Sequence, residues 1–390
     1  MAVDQVFTSP CRELSLADLS RKRGRKKTSH NTTQIWVVFL LPNALSGCVD
    51  PALAILLLSL EGHKPSTQRP QSLNSQEEGS LPFRHMRFVP MSILSRSILG
   101  CVLALGASAT PAFAQKPPTV PDDVIFESGV EYANPDGQHL QLDIARPKSG
   151  SGPFPAVVFI HGGGFRAGRR EGYDAQCIRL AQKGYVALTV SYRLAPKYPF
   201  PAAIHDTKAA IRWTRANAAK YGIDPERIGV TGGSAGGHLA QFLGVTGDVR
   251  EFEGNGGNPG VSSKVACVVN VYGPSDFTKS YGKSVDAAEV LPLFLGGNLE
   301  TARRLHIQAS PLYWVTPNAA PTLCIHGTDD KYVAHEQAVW LVEKLKASGV
   351  EAELLTLEGA GHGFKGKDAE IAEAALIVFF DKHLKKNSPR

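Results

Sequence analysis

Ser234 stands in Gly232-Gly233-Ser234-Ala235-Gly236, directly after the apolar run Arg227 to Thr231 and directly before a helix-like stretch from Gly237 to Gly244. A serine held between small residues at a sharp strand-to-helix turn has its Oγ lifted clear of the sheet. Glycines let such a turn close without Cβ clashes. The helix N-terminus behind it leaves backbone N–H groups free for an oxyanion. Serine is a poor nucleophile until a base takes its proton, and the base must be oriented by an acid. The chemistry to look for is therefore acyl transfer, with an imidazole and a carboxylate further along the chain.

Gly361-His362-Gly363-Phe364 follows the apolar run Ala352 to Leu357. Flanking glycines allow a bent loop to present the His362 ring, so His362 is the candidate base. His383, among lysines on the final helix, reads as a surface residue. His326-Gly327-Thr328-Asp329-Asp330 follows the run Thr322 to Ile325 and offers two carboxylates. Adjacent side chains in a loop cannot both face the imidazole. Asp330 is taken as the acid in preference to Asp329, with the other capping the loop or facing solvent.

His161-Gly162-Gly163-Gly164-Phe165 ends the run Ala156 to Ile160. Three glycines leave backbone N–H groups unshielded, as a tetrahedral oxyanion requires. Gly163 and Gly164 are expected to aim N–H groups at the site, joined by that of Ala235. His161 reads as a brace for this loop. Arg193 and Asp206 are expected to pin loops beneath the site, and His238 and His335 to be structural.

The elements that must position these groups alternate. Strand-like runs at Ala156 to Ile160, Val186 to Val190, Arg227 to Thr231, Val265 to Val271, Thr322 to Ile325 and Ala352 to Leu357 are interleaved with helical patterns at Ala202 to Tyr221, 335–347 and 368–385. Such alternation predicts parallel βαβ units. Asn134-Pro135-Asp136-Gly137 is a turn signal between Glu131-Tyr132 and Leu140 to Ala145, predicting an antiparallel edge hairpin. About eight strands result, in an α/β fold with a mostly parallel sheet and helices on both faces. Residues 273–319 show weaker periodicity and are expected to form a surface insertion over the strand ends, where such sheets bind ligands.

Together, His161-Gly162-Gly163-Gly164, Tyr192-Arg193-Leu194-Ala195-Pro196, Gly232-x-Ser234-x-Gly236, His326-x-x-x-Asp330 and Gly361-His362-Gly363-Phe364 resemble the esterase/lipase family of α/β-hydrolases related to hormone-sensitive lipase. The resemblance covers about residues 125–385. It implies an eight-stranded α/β-hydrolase fold, a triad of Ser234, Asp330 and His362, and an oxyanion hole from Gly163, Gly164 and Ala235. Lipase-like members carry a helical cap ahead of the first strand. Only about ten residues separate Gln115 from the edge strands here, which is more similar to secreted bacterial carbohydrate acyl esterases of the acetyl xylan and feruloyl type. That implies an open pocket and short acyl groups, acetyl above all, on a carbohydrate or aryl alcohol. The alternatives are an aryl formamidase, a prolyl-oligopeptidase-like peptidase, and a non-catalytic binding protein on the same fold. No dense cluster of metal ligands is visible in the sequence, and this chemistry calls for no cofactor.

The chain's net charge of +6 is unevenly placed. Residues 1–114 hold 12 basic and 7 acidic residues, whereas 115–390 hold 30 and 29. The excess lies in a leader containing Arg21-Lys22-Arg23-Gly24-Arg25-Lys26-Lys27, so a nucleic-acid partner is not expected. Arg96, the apolar run Ser97 to Ala107 and the site Ala112-Phe113-Ala114 read as a secretory signal over 91–114. The expected product begins near Gln115 and is secreted or periplasmic. Residues 1–90 read as a leader, either disordered or lying upstream of a start at Met86 or Met91. Leu45-Ser46-Gly47-Cys48 resembles a lipoprotein box and is the competing reading. Residues 115–390 then form the hydrolase domain, with no stable membrane insertion. Cys177, Cys267 and Cys324 are expected to be small core residues rather than a disulfide framework.

Overall fold

The computed structural model describes residues 118–385. The expected leader, the signal segment 91–114 and Cys48 lie outside the described residues. Within them the chain runs β1 (Val124–Ala133), β2 (Leu140–Pro147), β3 (Phe154–Ile160), α1 (Asp174–Gln182), β4 (Val186–Val190), α2 (Ala202–Ala216), α3 (Ala218–Tyr221), β5 (Ile223–Gly233), α4 (Ala235–Val245), β6 (Cys267–Val271), α5 (Ala287–Leu295), α6 (Arg303–Gln308), β7 (Thr322–Gly327), α7 (Glu336–Ala347), β8 (Ala352–Leu357) and α8 (Gly366–Leu384). The eight strands form one sheet in the order β1-β2-β4-β3-β5-β6-β7-β8. β2 is antiparallel to β1 and to β4, and the remaining neighbours are parallel. This is the α/β-hydrolase architecture.

The continuous apolar runs reflect burial on both faces, as parallel sheets require. Side chains of β3 alternate: Val157 and Phe159 pack with Cys177, Leu180, Phe379 and Phe380, while Ala156, Val158 and Ile160 pack toward Ala210, Ile211 and Leu239. The first set brings α1 and α8 onto one face, and the second brings α2 and α4 onto the other. Cys177, Cys267 and Cys324 are all buried and unpaired.

Several boundaries differ from the sequence reading. The pattern over Ala202 to Tyr221 is two helices that meet at Asn217, whose side chain also donates to Trp213 O at 2.9 Å. The sequence reading has no element between β3 and β4, where the structure places α1. Residues 273–319 are more than a surface insertion. Phe277, Leu291, Phe294 and Leu295 are buried in the main core, and Phe294 stacks on Phe165 at 3.9 Å. His383 is a correction as well: its side chain is only 13% exposed and packs on Phe379.

From β3 the chain goes to β4 on one side and then to β5 on the other. Ligands bind at such a switch, outside the carboxyl ends of the strands. Here those ends carry the His161 loop and Ser234, and the register pairs Ile160 with Gly232. The two loops are therefore neighbours because their strands are.

Candidate active site

β5 ends at Gly233 and α4 begins at Ala235, so Ser234 alone makes the turn, at φ 58° and ψ −122°. A non-glycine residue there stores about 1–3 kcal/mol of strain. The surroundings hold it in place. Ser234 N donates to Val271 O at 3.0 Å, and His238 N donates to Ser234 O at 2.9 Å. α4 can begin this close to β3 only through glycine: a Cβ on Gly236 would lie 2.0 Å from Ile160 O.

His362, in the loop after β8, donates from Nδ1 to Asp330 Oδ2 at 2.7 Å. The other carboxylate oxygen of Asp330 accepts from Tyr332 N and Val333 N, both at 2.9 Å. His326 Nε2 lies 3.4 Å from Asp330 Oδ2 and 2.8 Å from Val333 O. Burial raises the Asp330 pKa, but hydrogen bonds from His326, His362 and Val333 N outweigh it and hold the carboxyl well below the usual carboxylate range. An anionic Asp330 makes Nδ1 of His362 the protonated nitrogen and leaves Nε2 as the basic one. Asp329, by contrast, has a 61% exposed side chain paired with Lys331. The rings of Tyr272 and Tyr332 pack on His362 at 4.6 and 5.3 Å.

Ser234 and His362 line one open cleft of about 450 Å³, together with Gly162, Gly163, Gly164 and Tyr272. Ser234 also lines a narrower chamber of about 70 Å³, walled by Phe165, Phe277, Val290 and Leu291. Gly164, Asp286 and Tyr332 line both spaces. The serine thus sits at the neck of a two-lobed site.

The glycine loop folds tightly. Gly163 and Gly164 have φ of 113° and 59°, and Gly163 O accepts from Arg166 N and Ala167 N. A Cβ on Gly163 would lie 2.3 Å from Ala167 O. Among the described residues, the N–H groups of Gly163, Gly164 and Ala235 donate to no loop or turn carbonyl. Ala235 N also lacks an intrahelical partner as the first residue of α4. The three N–H groups are available at the site that Ser234 lines.

The remaining expectations resolve into supports. His161 Nδ1 lies 2.8 Å from Gly162 O, and its ring stacks on Tyr192 at 4.2 Å. Burial lowers its pKa, keeping it neutral. Arg193 binds Asp206 through its guanidinium and its backbone N–H, and reaches Asp136 at 2.5 Å. His238 is fully buried, with Nε2 2.7 Å from Ala309 O. His335 Nε2 meets Thr356 Oγ1 at 3.1 Å. Sequence reasoning missed Tyr272, Tyr332 and Asp286. Tyr272 sits one residue past β6, and its position after a parallel strand was the available signal. Asp286 lies in the aperiodic stretch 273–319, which carried none.

Comparison with known proteins follows the same lines. The BD-FAE family profile matches residues 142–345. Esterase LipC of Mycobacterium tuberculosis is 38% identical over 231 residues, covering 57% of this chain and 56% of that protein. The chain therefore spans little more than half of that relative. An ethyl acetate hydrolase of Pseudomonas putida is 31% identical over 260 residues, covering 64% of this chain and 80% of that one. Among solved structures, a truncated carbohydrate esterase from gut microbiota superposes with a TM-score of 0.62 at 30% identity, covering 68% of this chain and 99% of that one.

Proposed function

This chain belongs to the BD-FAE family, and from that membership and the site geometry we propose that it is a serine carboxylic ester hydrolase. The observation that carries the reading is the lock between His362 Nδ1 and Asp330 Oδ2 at 2.7 Å, in the cleft that Ser234 also lines. Ser234 Oγ attacks the ester carbonyl carbon as His362 Nε2 takes its proton. The carbonyl oxygen becomes an oxyanion, held by the N–H groups of Gly163, Gly164 and Ala235. The intermediate collapses, the C–O bond to the alcohol breaks, and His362 returns the proton to the leaving oxygen. Water then gives a proton to His362 and attacks the acyl-enzyme. A second collapse releases the carboxylic acid and restores Ser234. Asp330 stays ionised throughout, fixing the ring and stabilising the imidazolium.

The substrate we infer carries a short acyl group. The chamber beside Ser234, of about 70 Å³ against about 450 Å³ for the open cleft, is walled by Phe165, Phe277, Val290 and Leu291 and suits a small apolar group. The open lobe leaves room for a bulky alcohol such as a sugar unit. The names of two relatives, an ethyl acetate hydrolase and a carbohydrate esterase, support acetyl and carbohydrate esters. We also infer export, from Arg96, the apolar run to Ala107 and Ala112-Phe113-Ala114. Mass spectrometry of the native N-terminus tests it, with Gln115 as the expected first residue and lipidation at Cys48 as the overturning result.

Assay of Ser234→Ala beside wild type on p-nitrophenyl acetate tests the activity itself. The variant is expected to lose about 10⁴-fold or more in kcat with an unchanged circular dichroism spectrum. Retention of a tenth of the activity would remove Ser234 as the nucleophile.

A further inference from the structure

Asp286 is the residue of the site that the mechanism leaves without a task. It occupies the N-cap position of α5 but makes no side-chain cap bond, although aspartate is favoured there because its carboxylate accepts from the first turn. Its hydrogen-bond partner among the described residues is Ser284 Oγ, at 3.2 Å. The two cations nearby belong to other carboxylates: Arg166 pairs with Glu289, and Lys283 with Glu336 at 2.8 Å. Asp286 lines both lobes, at the neck it shares with Ser234. It is half-buried.

A carboxylate with spare lone pairs beside the reacting ester needs donors from the substrate. Hydroxyls or a cation could supply them. Arg166, whose guanidinium shares the open lobe and feels the Asp286 charge, disfavours a cation. Tyr332, 49% exposed on the same neck, offers a ring face against which the C–H surface of a pyranose can pack. We propose that Asp286 is a specificity-determining residue, accepting hydrogen bonds from free hydroxyls of a neutral polyol alcohol, such as a partly acetylated sugar, next to the ester that Ser234 attacks. The proposal rests on the ester hydrolase reading above and names the alcohol side of its substrate.

The test compares wild type, Asp286→Asn and Asp286→Ala on four esters: methyl 3-O-acetyl-β-xyloside, the same compound with its free hydroxyls methylated, p-nitrophenyl acetate and acetylcholine. Wild type should prefer the free-hydroxyl sugar over its methylated analogue by about tenfold or more in kcat/KM, the size of one hydrogen bond to a charged acceptor. In Asp286→Ala that preference should collapse to about one, with a clearly smaller loss on p-nitrophenyl acetate than on the free-hydroxyl sugar. Asp286→Asn should fall between. Absence of the preference in wild type, or its survival in Asp286→Ala, overturns the proposal. An equal loss on p-nitrophenyl acetate would reduce Asp286 to a structural role, and a preference for acetylcholine that Asp286→Ala removes would make the neck a cation site. Failure of wild type to hydrolyse any of the four would instead strike at the hydrolase reading.

Discussion

Replacing Asp330 by Asn changes one atom and should separate it sharply from its neighbour. Oδ1 accepts from two backbone N–H groups, of Tyr332 and Val333. In Asp330→Asn the amide oxygen of the new side chain must keep that position, because an NH₂ there would face two donors. The NH₂ then takes the place of Oδ2, 2.7 Å from His362 Nδ1 and 3.4 Å from His326 Nε2. A donor at that point forces His362 to carry its proton on Nε2, so the ring can no longer accept the Ser234 proton. Loss of the correct tautomer in a comparable triad costs about 10⁴ in kcat. The same substitution at Asp329 removes only a solvent-screened pair with Lys331, expected to be worth less than about 1 kcal/mol and to leave kcat within about twofold. The assay is kcat for p-nitrophenyl acetate at pH 7, with thermal melts showing that both variants are folded. Asp330→Asn retaining more than a tenth of wild-type kcat, or Asp329→Asn losing as much, would refute the tautomer argument and move the acid elsewhere.

Two more predictions concern the chamber and the fold. Wild type should show its highest kcat/KM on p-nitrophenyl esters of two to four carbons. Val290→Ala, which removes two methyls from the chamber wall, should lengthen the preferred chain, by up to about 0.8 kcal/mol for each further CH₂ buried. A wild-type maximum at eight carbons or longer would contradict the chamber's size. Away from the site, Asp174 is buried beside Asp143, and Asp143 Oδ2 and Asp174 Oδ1 have no hydrogen-bond partner. Burial and then the Asp143 charge push Asp174 up to about 7. The native state thus keeps a proton that the unfolded chain releases near pH 4, and stability falls as pH rises from about 4 to 7, by at most about 1.4 kcal/mol per unit. Melting temperatures between pH 5 and 8 should decline in wild type and flatten in Asp174→Asn, and equal slopes in the two proteins would rule out the raised Asp174 pKa.

The reach of the sequence follows from what is local. Strand, turn and helix around Ser234 are written within some fifteen residues, because glycines at 232, 233 and 236 and the apolar run before them act on their own backbone. The same holds for the His161 loop and the loop of His362, each a glycine-rich break directly after an apolar strand. Their order along the chain, with parallel strands between, already implies a common sheet edge. Distance acts on the other features. Asp329 and Asp330 are chemically equivalent in sequence, and only the folding of the loop to Val333, with His326 beneath it, buries one carboxylate and exposes the other. α1 is short, and its burial comes from packing on β2 and β4 rather than from a strong pattern of its own. His383 looks like a surface residue among lysines, yet the helix that carries it lays one face against the sheet. Residues 273–319 have weak periodicity because α5 and its flanking turns insert single aromatic side chains, Phe277 and Phe294, into a core built by other elements. The two-lobed cleft, the rings of Tyr272 and Tyr332 against His362, and the carboxylate of Asp286 at the neck arise where segments about thirty residues or more apart converge, and no spacing within one segment encodes that meeting.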